Sequence, residues 1–327
     1  MVLLALLSYS PDVKEYFSVK GGTPISGTVR VSGAKNAALP LLIAALLTED
    51  KCTFKNVPNI HDVHLLLQLL AHSGSKVERD GSLIHVSTPK IVSVEASYSL
   101  VKALRASFWV LAPLLARARR AKVALPGGDS IGARPVDLHL EGLEKMGAKI
   151  KVLHGVVEAE TSSGLKGAEI DLRFPSVGAT HQLLLAAALA EGRTVITGAA
   201  KEPEVVALGE MLRGMGLKIE GHGTETIEII GQDSLCGTEV TVIGDRIEAG
   251  TYAMIAASTR GEIEIKGFNP LHLGSFLDVM NEIGLEVTII DNGIEVKASK
   301  ELKPVNLTTE VFPGFATDLQ AVTMAAL

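Results

Sequence analysis

The stretch Gly216-Leu217-Lys218-Ile219 ends an amphipathic helical pattern and leads directly into a β-prone segment. The same junction of helix, glycine and strand occurs three more times, with the glycines 73, 69 and 68 residues apart, at Gly74-Ser75-Lys76-Val77, Gly147-Ala148-Lys149-Ile150 and Gly284-Leu285-Glu286-Val287. A glycine after the last helical residue is the usual left-handed cap. Even spacing of such junctions predicts a chain built from repeated structural units.

Each unit also opens with a turn of small residues that leads into an apolar helix. These openings are Gly33-Ala34-Lys35-Asn36, Leu104-Arg105-Ala106-Ser107, Ser176-Val177-Gly178-Ala179-Thr180, Arg246-Ile247-Glu248-Ala249-Gly250-Thr251 and Gly314-Phe315-Ala316-Thr317-Asp318. The helix behind the third opening is apolar on nearly all sides, which predicts that it is buried. Each unit therefore wraps sheets around internal helices.

Within a unit the predicted order is buried helix, strand, amphipathic helix, strand, strand. In the third unit these elements are 179–190, 194–197, 203–215, 218–220 and 226–230. Alternating strands and helices favour an α/β architecture.

The fifth unit begins at Gly314 and the sequence stops just inside its first helix, at Leu327. If units group in threes, roughly a hundred further residues complete the second domain, so we expect a C-terminally truncated chain.

Composition narrows the class of protein. A chain of 327 residues is longer than a single hydrophobic core usually organises, so two domains are expected. The net charge of -6 and the short basic stretch Arg117-Ala118-Arg119-Arg120 disfavour nucleic acid binding. The apolar start Met1–Leu7 is too short for a signal peptide or a membrane span. Cys52 and Cys236 lack partners at zinc spacings, so we expect buried reduced thiols in a cytoplasmic protein, with no metal and no cofactor.

A glycine-rich loop carries candidate chemistry, at Gly127-Gly128-Asp129-Ser130-Ile131-Gly132-Ala133-Arg134-Pro135. Its three glycines allow the backbone to approach a ligand closely. Pro135 suits the first turn of a helix that carries apolar residues on one face and stops at Gly147. The loop would thus bring Asp129 and Arg134 to a helix N-terminus, where anions bind well. The alternatives are a plain surface turn and a dinucleotide-binding loop, and the spacing does not fit the second.

Five motifs together resemble the enolpyruvyl transferase family, and within it the members that act on UDP-N-acetylglucosamine. They are Ser32 to Pro40, Arg105-Ala106-Ser107, Gly127 to His139, Ser176 to Thr180 and Phe315 to Gln320. The resemblance implies a pair of inside-out α/β barrels, each made of three repeat units, with the active site between them. The expected parts are an N-terminal extension (1–15), a strand belonging to the second domain (16–34), the first domain (35–243) and a partial second domain (244–327).

The resemblance also implies a reaction and its residues. The enolpyruvyl group of phosphoenolpyruvate would move to the 3'-hydroxyl of the sugar nucleotide, the first committed step of peptidoglycan synthesis. Lys35 and Arg134 would bind phosphoenolpyruvate, Arg105 would bind substrate in the same cleft, and Asn36 would contact the sugar nucleotide. Asp129 would donate a proton and Asp318 would act as base. UDP would contact Pro135, Val136, Asp137, Leu138, His139, Ser176, Val177 and Gly178. No protein partner or membrane is implied.

Two positions depart from the family pattern. Most members carry a cysteine where this chain has Asp129, and that thiol is alkylated by the antibiotic fosfomycin, so we expect resistance here. Phe174 stands where some members place a lysine near the nucleotide. Two alternatives stay open: the sister enzyme that uses shikimate 3-phosphate, and an inactive nucleotide-binding fragment that lacks the C-terminal part.

Overall fold

Left-handed glycines end the helices at the four predicted junctions. The computed structural model describes residues 18–96, 101, 104–126, 135–298 and 301–327. Gly74, Gly147, Gly216 and Gly284 have φ angles of +114°, +91°, +95° and +97°. The amide after each glycine donates to a helical carbonyl five residues earlier at 3.0 Å, as Ser75 to Leu70, Ala148 to Leu143, Leu217 to Leu212 and Leu285 to Met280. This is the Schellman arrangement, repeated four times.

Two kinds of helix alternate along the chain. The first helices of the units are α1 (Lys35–Ala44), α3 (Leu111–Ala118) after the 3-10 helix Arg105–Val110, α5 (Val177–Ala187) and α7 (Arg246–Thr259). The second helices are α2 (His61–Ser73), α4 (Asp137–Lys145), α6 (Pro203–Gly214) and α8 (Phe276–Glu282). A 3-10 turn, Thr317–Leu319, and α9 (Gln320–Ala326) end the chain. All residues of α1 after Asn36 are buried, as its all-round apolar sequence predicts.

The described strands form four sheets that share the same strand order and pairing directions. Their bounds are β1 (Ser26–Arg30), β2 (Lys51–Lys55), β3 (Lys76–Asp80), β4 (Leu83–Ser87), β5 (Glu95–Ala96), β6 (Arg120–Ala124), β7 (Lys149–Leu153), β8 (Val156–Glu160), β9 (Glu169–Asp171), β10 (Arg193–Thr197), β11 (Lys218–Glu220), β12 (Thr226–Ile230), β13 (Glu239–Thr241), β14 (Glu262–Lys266), β15 (Glu286–Ile290) and β16 (Gly293–Lys297). The sheet orders are β13-β2-β4-β3, β5-β6-β8-β7, β9-β10-β12-β11 and β1-β14-β16-β15. In each sheet the first pair is parallel and the other two pairs are antiparallel.

The parallel edge strands join successive units into a ring. β5 and β9 each pair with the first strand of the following unit, and β13 returns to pair with β2 of the first unit. These edge strands carry no recognisable sequence signal, because two or three residues are too short to show an alternating pattern. The N-terminal strand β1 fills the same place beside β14.

Two separate clusters of buried side chains support these sheets. The first core runs from Ala34 to Val242 and packs the first three units together. The second core contains Val31 and buried residues from Ala249 to Leu319. The chain therefore crosses between the cores twice, near Gly33 and near Gly244.

Two details differ from the predictions. The helix after the glycine-rich loop begins at Asp137, and Val136 is the preceding cap, so Pro135 lies outside the first turn. Cys52 is buried, but Cys236 is exposed, which corrects the expectation that both thiols are buried. Cys236 lies on the segment that connects β12 to β13, outside the helices and strands that form the core.

The two crossing segments are bonded to each other. Gly33 and Gly244 form an antiparallel bridge, the Ala34 amide donates to the Ile243 carbonyl at 2.7 Å, and the Asp245 amide donates to the Ser32 carbonyl at 2.9 Å. Gly33 also lies against the Asn56 carbonyl, which leaves no room for a side chain there.

Replacing Gly33 by Ala is expected to lower the free energy of unfolding by about 1–3 kcal/mol. The added Cβ would lie 1.8 Å from the Asn56 carbonyl oxygen, and backbone cannot rotate away as a side chain can. Chemical denaturation measures the change. Gly21→Ala is the control, since a Cβ there meets nothing within 4 Å. Equal stability of the two variants would contradict the prediction.

Candidate active site

Lys35 is the first residue of α1 and lies at the crossing between the two cores. Its amide donates to Asp245 Oδ2 at 3.3 Å, and its Nζ lies 3.7 Å from Asp62 Oδ2. The Lys35 side chain is about half exposed, and Asn36 beside it is also exposed. Asp245 in turn caps α7 by accepting from the amides of its second and third residues. Two helix N-termini thus meet at one carboxylate, with the lysine ammonium beside them.

The same helical position carries a predicted site residue in each unit of the first core. Lys35 begins α1, Arg105 begins the 3-10 helix before α3, and Val177 begins α5. The 3-10 helix contacts both α1 and α5. Because unsatisfied amides give a helix N-terminus a partial positive charge, these three ends favour an anionic ligand. In the second core Arg246 begins α7 and Asp318 lies, exposed, in the final 3-10 turn.

The N-terminal turns of α4 and α5 come together. An added Cβ at Gly178 would lie 3.1 Å from Cε1 and Nε2 of His139, so the glycine allows the imidazole to approach the α5 backbone. Ser176 caps α5, its Oγ accepting from the Ala179 amide at 3.3 Å. Three further predicted residues are partly buried against the first core, namely Val136, Leu138 and Val177. We call residues 135–139 with 176–178 the α4–α5 junction.

Neutral aromatic groups support this junction. His139 is 5% exposed, packs edge-on against Phe108 at 5.6 Å, and has its pKa lowered to about 4 by burial and by the Arg105 charge. Burial also lowers the pKa of His181 to about 4, and its ring lies 5.0 Å from that of Trp109. Both imidazoles are therefore neutral at pH 7.

An arginine in two ion pairs and an exposed phenylalanine lie at the edge of the junction. Arg173 forms an ion pair with Asp137 in the first turn of α4 and with Glu141 Oε2 at 3.0 Å. The next residue, Phe174, is 57% exposed. The Ser176 amide donates to the Phe174 carbonyl at 2.7 Å. The backbone that carries the ring is thus tied to both helices.

Sequence reasoning missed a buried ion pair that joins the two cores. Arg246 Nε donates to Glu204 Oε1 at 2.9 Å, and their side chains are 10% and 3% exposed. The Arg246 guanidinium also lies over the Phe312 ring, 5.5 Å from its centroid. Nearby, burial raises the pKa of Glu202, whose Oε1 lies 3.5 Å from the Phe312 amide. No local pattern marks these charges, because the partners lie in different units.

Some predictions fall outside what the structure describes. Asp129 and Arg134 lie outside the described residues, so their positions relative to Lys35 stay predictions. Over the described ranges, no group of three or more His, Cys, Asp or Glu side chains could hold a metal ion. None of the helices described is both long and apolar enough to cross a membrane.

Comparisons with known proteins agree on one family. The family model described as EPSP synthase (3-phosphoshikimate 1-carboxyvinyltransferase) matches residues 19–327. A UDP-N-acetylglucosamine 1-carboxyvinyltransferase of Solibacter usitatus is 46% identical over 312 residues, which cover 95% of this chain and 75% of the relative. Proteins of the same name from Chelativorans and Thermotoga petrophila are each 47% identical, over 94% of this chain and 75% and 74% of theirs.

Solved structures match the fold. The enolpyruvyl transferase NikO from Streptomyces tendae superposes with a TM-score of 0.82 at 24% identity, covering 94% of this chain and 73% of NikO. An EPSP synthase from Acinetobacter baumannii gives a TM-score of 0.70 at 20% identity, covering 88% of this chain and 68% of the synthase. The predicted enolpyruvyl transferase fold is confirmed. The chain spans about three quarters of the length of the curated relatives.

Proposed function

The chain belongs to the enolpyruvyl transferase family, among the UDP-N-acetylglucosamine 1-carboxyvinyltransferases, and from this membership we propose the reaction that it catalyses. It transfers the enolpyruvyl group of phosphoenolpyruvate to the 3'-hydroxyl of UDP-N-acetylglucosamine and releases phosphate, a step of peptidoglycan synthesis. The observation that carries the proposal is identity of 46–47% over 94–95% of the chain to relatives of that name. Because both substrates are small soluble metabolites made inside the cell, we place the enzyme in the cytoplasm.

The chemistry requires a proton donor for C3 of phosphoenolpyruvate and a base for the sugar 3'-hydroxyl. A C–O bond forms between the sugar 3'-oxygen and C2 of phosphoenolpyruvate, and the bond from C2 to the phosphate oxygen breaks. Protonation of C3 makes C2 electrophilic, and loss of a proton from C3 later restores the double bond. We assign the first proton transfer to Asp129 and removal of the hydroxyl proton to Asp318, each as general acid–base catalysis.

The anionic groups of both substrates fit the positive end of the first core. Lys35, which is half exposed at the start of α1, supplies a compact charge for phosphoenolpyruvate. Arg105 begins the next unit's helix, and Arg134 would add a bidentate contact. Asn36 would contact the sugar. The α4–α5 junction would hold UDP, because two helix N-termini meet there beside a neutral His139.

The main alternative is transfer to shikimate 3-phosphate, the activity in the family model's description. The EPSP synthase structures share only 20% identity with this chain, whereas the UDP-N-acetylglucosamine relatives share more than twice that. The second alternative, a fragment that binds nucleotide without turnover, rests on the shorter length of this chain relative to its relatives.

Phosphate release in the presence of phosphoenolpyruvate separates these alternatives. We expect release with UDP-N-acetylglucosamine and none with shikimate 3-phosphate. Lys35→Ala should reduce kcat/KM by about 10²-fold or more, because it removes a positive charge that would stabilise the departing phosphate. Lys297→Ala is the matched control, since that lysine is equally exposed, pairs with Glu262 and lies in strand β16 and not at a helix start. Release with neither acceptor would favour the fragment, and release with shikimate 3-phosphate alone would favour the sister enzyme.

A further inference from the structure

A closed loop of the second core carries Phe312 to the first core, shortly before the proposed base Asp318. The Glu310 amide donates to the Phe315 carbonyl at 3.0 Å, which closes residues 310–315 into a loop. Phe312 lies within this loop, six residues before Asp318. A chain spans at most about 3.6 Å per residue, so the position of Phe312 limits where Asp318 can lie.

Charged side chains at the contact between the two cores hold Phe312. The Arg246 guanidinium lies over the Phe312 ring, 5.5 Å from its centroid, and its Nε donates to Glu204 Oε1 at 2.9 Å. The Phe312 amide donates to Glu202 Oε1 at 3.5 Å. Both glutamates lie at the start of α6 in the first core. The loop is therefore tied to the first core, although the side chains around it in sequence pack in the second.

The residues on either side of Asp318 pack on the second core. The buried Phe315 ring lies 5.6 Å from the Phe276 ring. Leu319 is also buried, and a Cβ added at Gly250 of α7 would lie 2.7 Å from its side chain. Asp318, between these two buried residues, is exposed. Packing thus fixes its backbone on the second core, and the preceding loop fixes how that backbone lies relative to the first.

The proposed reaction makes this relative position important. Lys35 begins α1 in the first core, whereas Asp318 lies in the final 3-10 turn, on the second. A general base must lie within hydrogen-bond reach of the proton that it removes. A misplacement of about 1 Å can lower the rate by about 10²-fold. A contact that ties the segment of the base to the core that carries Lys35 therefore affects the proton transfer.

We propose that Glu202 and Arg246 are positioning residues, which hold Phe312 and thereby place Asp318 at the sugar 3'-hydroxyl. This inference rests on the proposed function, since it takes Asp318 as the base for that hydroxyl. In this role neither Glu202 nor Arg246 contacts a substrate. Loss of the contacts to Phe312 therefore lowers kcat and leaves the affinity for the nucleotide unchanged.

Steady-state kinetics of Phe312→Ala test the proposal. We expect kcat to fall by about 10- to 100-fold, because the Arg246 guanidinium no longer holds the loop. The Kd for UDP-N-acetylglucosamine, measured by calorimetric titration, should stay within about threefold of the wild type, since binding precedes the misplaced step. Phe312→Tyr should keep kcat within about threefold of the wild type, because a phenol ring also accepts a guanidinium on its face.

Two further sets of variants serve as controls. Val287→Ala removes packing from the second core without touching the loop, since Val287 is partly buried on the edge strand β15, and its kcat should equal that of the wild type. Glu202→Gln keeps an oxygen that accepts from the Phe312 amide, whereas Glu202→Ala removes it. The alanine variant should be about tenfold slower than the glutamine variant. Equal kcat in these two would contradict the role of Glu202.

A double-variant cycle separates positioning of the base from a general loosening of the protein. In Asp318→Asn the base is absent, so adding Phe312→Ala should change kcat by less than about threefold. The proposal is wrong if Phe312→Ala costs as much in this background as in the wild type, or if it leaves kcat of the wild type unchanged. A loss of nucleotide affinity as large as the loss of kcat would likewise contradict it.

The outcomes also separate this inference from the function on which it rests. If the wild type releases phosphate with UDP-N-acetylglucosamine and Phe312→Ala does so equally fast, the positioning role is wrong and the function stands. If the folded wild type releases none, both are wrong. Full activity in Asp318→Asn would overturn the assignment of the base and this proposal with it, while the proposed reaction would stand.

Discussion

Asp129→Asn is expected to slow enolpyruvyl transfer by about 10²- to 10⁴-fold, because the amide keeps the shape of the side chain and cannot donate the proton that C3 requires. An exposed aspartate has a pKa of about 3.9 and is ionised near neutrality. Closure of the site and the negative charge of the substrates' phosphates would raise the pKa, while Arg134 would lower it. Steady-state kcat with both substrates saturating measures the effect.

The pH dependence of kcat tests whether residue 129 must be protonated for catalysis. The donor must be protonated, so kcat should fall as pH rises through the pKa of Asp129 in the substrate complex. In Asp129→Cys the same fall should move to higher pH, because an ordinary thiol has a pKa of about 8.5. A profile that is identical in the two proteins would show that residue 129 does not supply the proton.

Fosfomycin provides an independent readout of the same residue. A carboxylate is a poor nucleophile toward the epoxide, so the wild type should keep its activity during incubation with the antibiotic. Asp129→Cys should lose activity with time and gain the mass of the adduct. Time-dependent covalent inactivation of the wild type at this loop would contradict the expected resistance. A kcat within a few-fold of the wild type in Asp129→Asn would contradict the assignment of the donor.

Glu204→Met is expected to lower the free energy of unfolding by about 3–5 kcal/mol, since it leaves the Arg246 guanidinium buried without its counter-charge. The two side chains are 3% and 10% exposed and are joined at 2.9 Å, so water cannot replace the carboxylate without opening the contact between the cores. Arg246→Met should cost a similar amount. Urea denaturation measures both, with coincident fluorescence and circular dichroism transitions as the check on two-state unfolding.

The double variant Glu204→Met/Arg246→Met should be much closer to the wild type than either single variant, because neither charge is then left unpaired. A loss equal to the sum of the two single losses would show that the side chains do not interact. Glu158→Met is the control. Its partner Lys122 lies 3.2 Å away with both side chains about half exposed, so its loss should stay below about 1 kcal/mol.

Trp109 fluorescence can show whether the Glu204 and Arg246 variants disturb the α4–α5 junction. It is the one tryptophan of the chain, and it lies against His181 and Gly178 on α5. The Glu204 backbone lies next to His181. Burial lowers the pKa of His181, and the Glu204 backbone raises it. A shift of Trp109 emission in Glu204→Met under native conditions would show that loss of the ion pair reaches the α4–α5 junction.

Much of the fold follows from local sequence. Glycines such as Gly216 end helices because they adopt positive φ without steric cost, and the apolar run Leu183–Ala187 forms a buried helix. The repeat was predictable for the same reason, since each copy carries its own turn and its own cap. The motifs around Lys35, Arg105 and Ser176 were equally visible, because each directly precedes or begins a helix.

What escaped prediction depends on residues far apart in the chain. The short edge strands became strands only because the next unit's sheet, or the first unit's in the case of β13, offered free backbone groups. His181 is fully buried and neutral against Trp109, although no local pattern marks it as a core residue.

The sequence by itself determined the repeat, the helix ends and the family motifs, because turn and helix preferences depend on residues within one or two turns of each other. Only the tertiary structure decided which charges are buried together and which ring stays exposed. Glu204 and Arg246 are 42 residues apart and meet across two cores, while Phe174 is left on the surface between two helix starts. Burial depends on what the rest of the chain packs against a residue, and no neighbouring sequence carries that information.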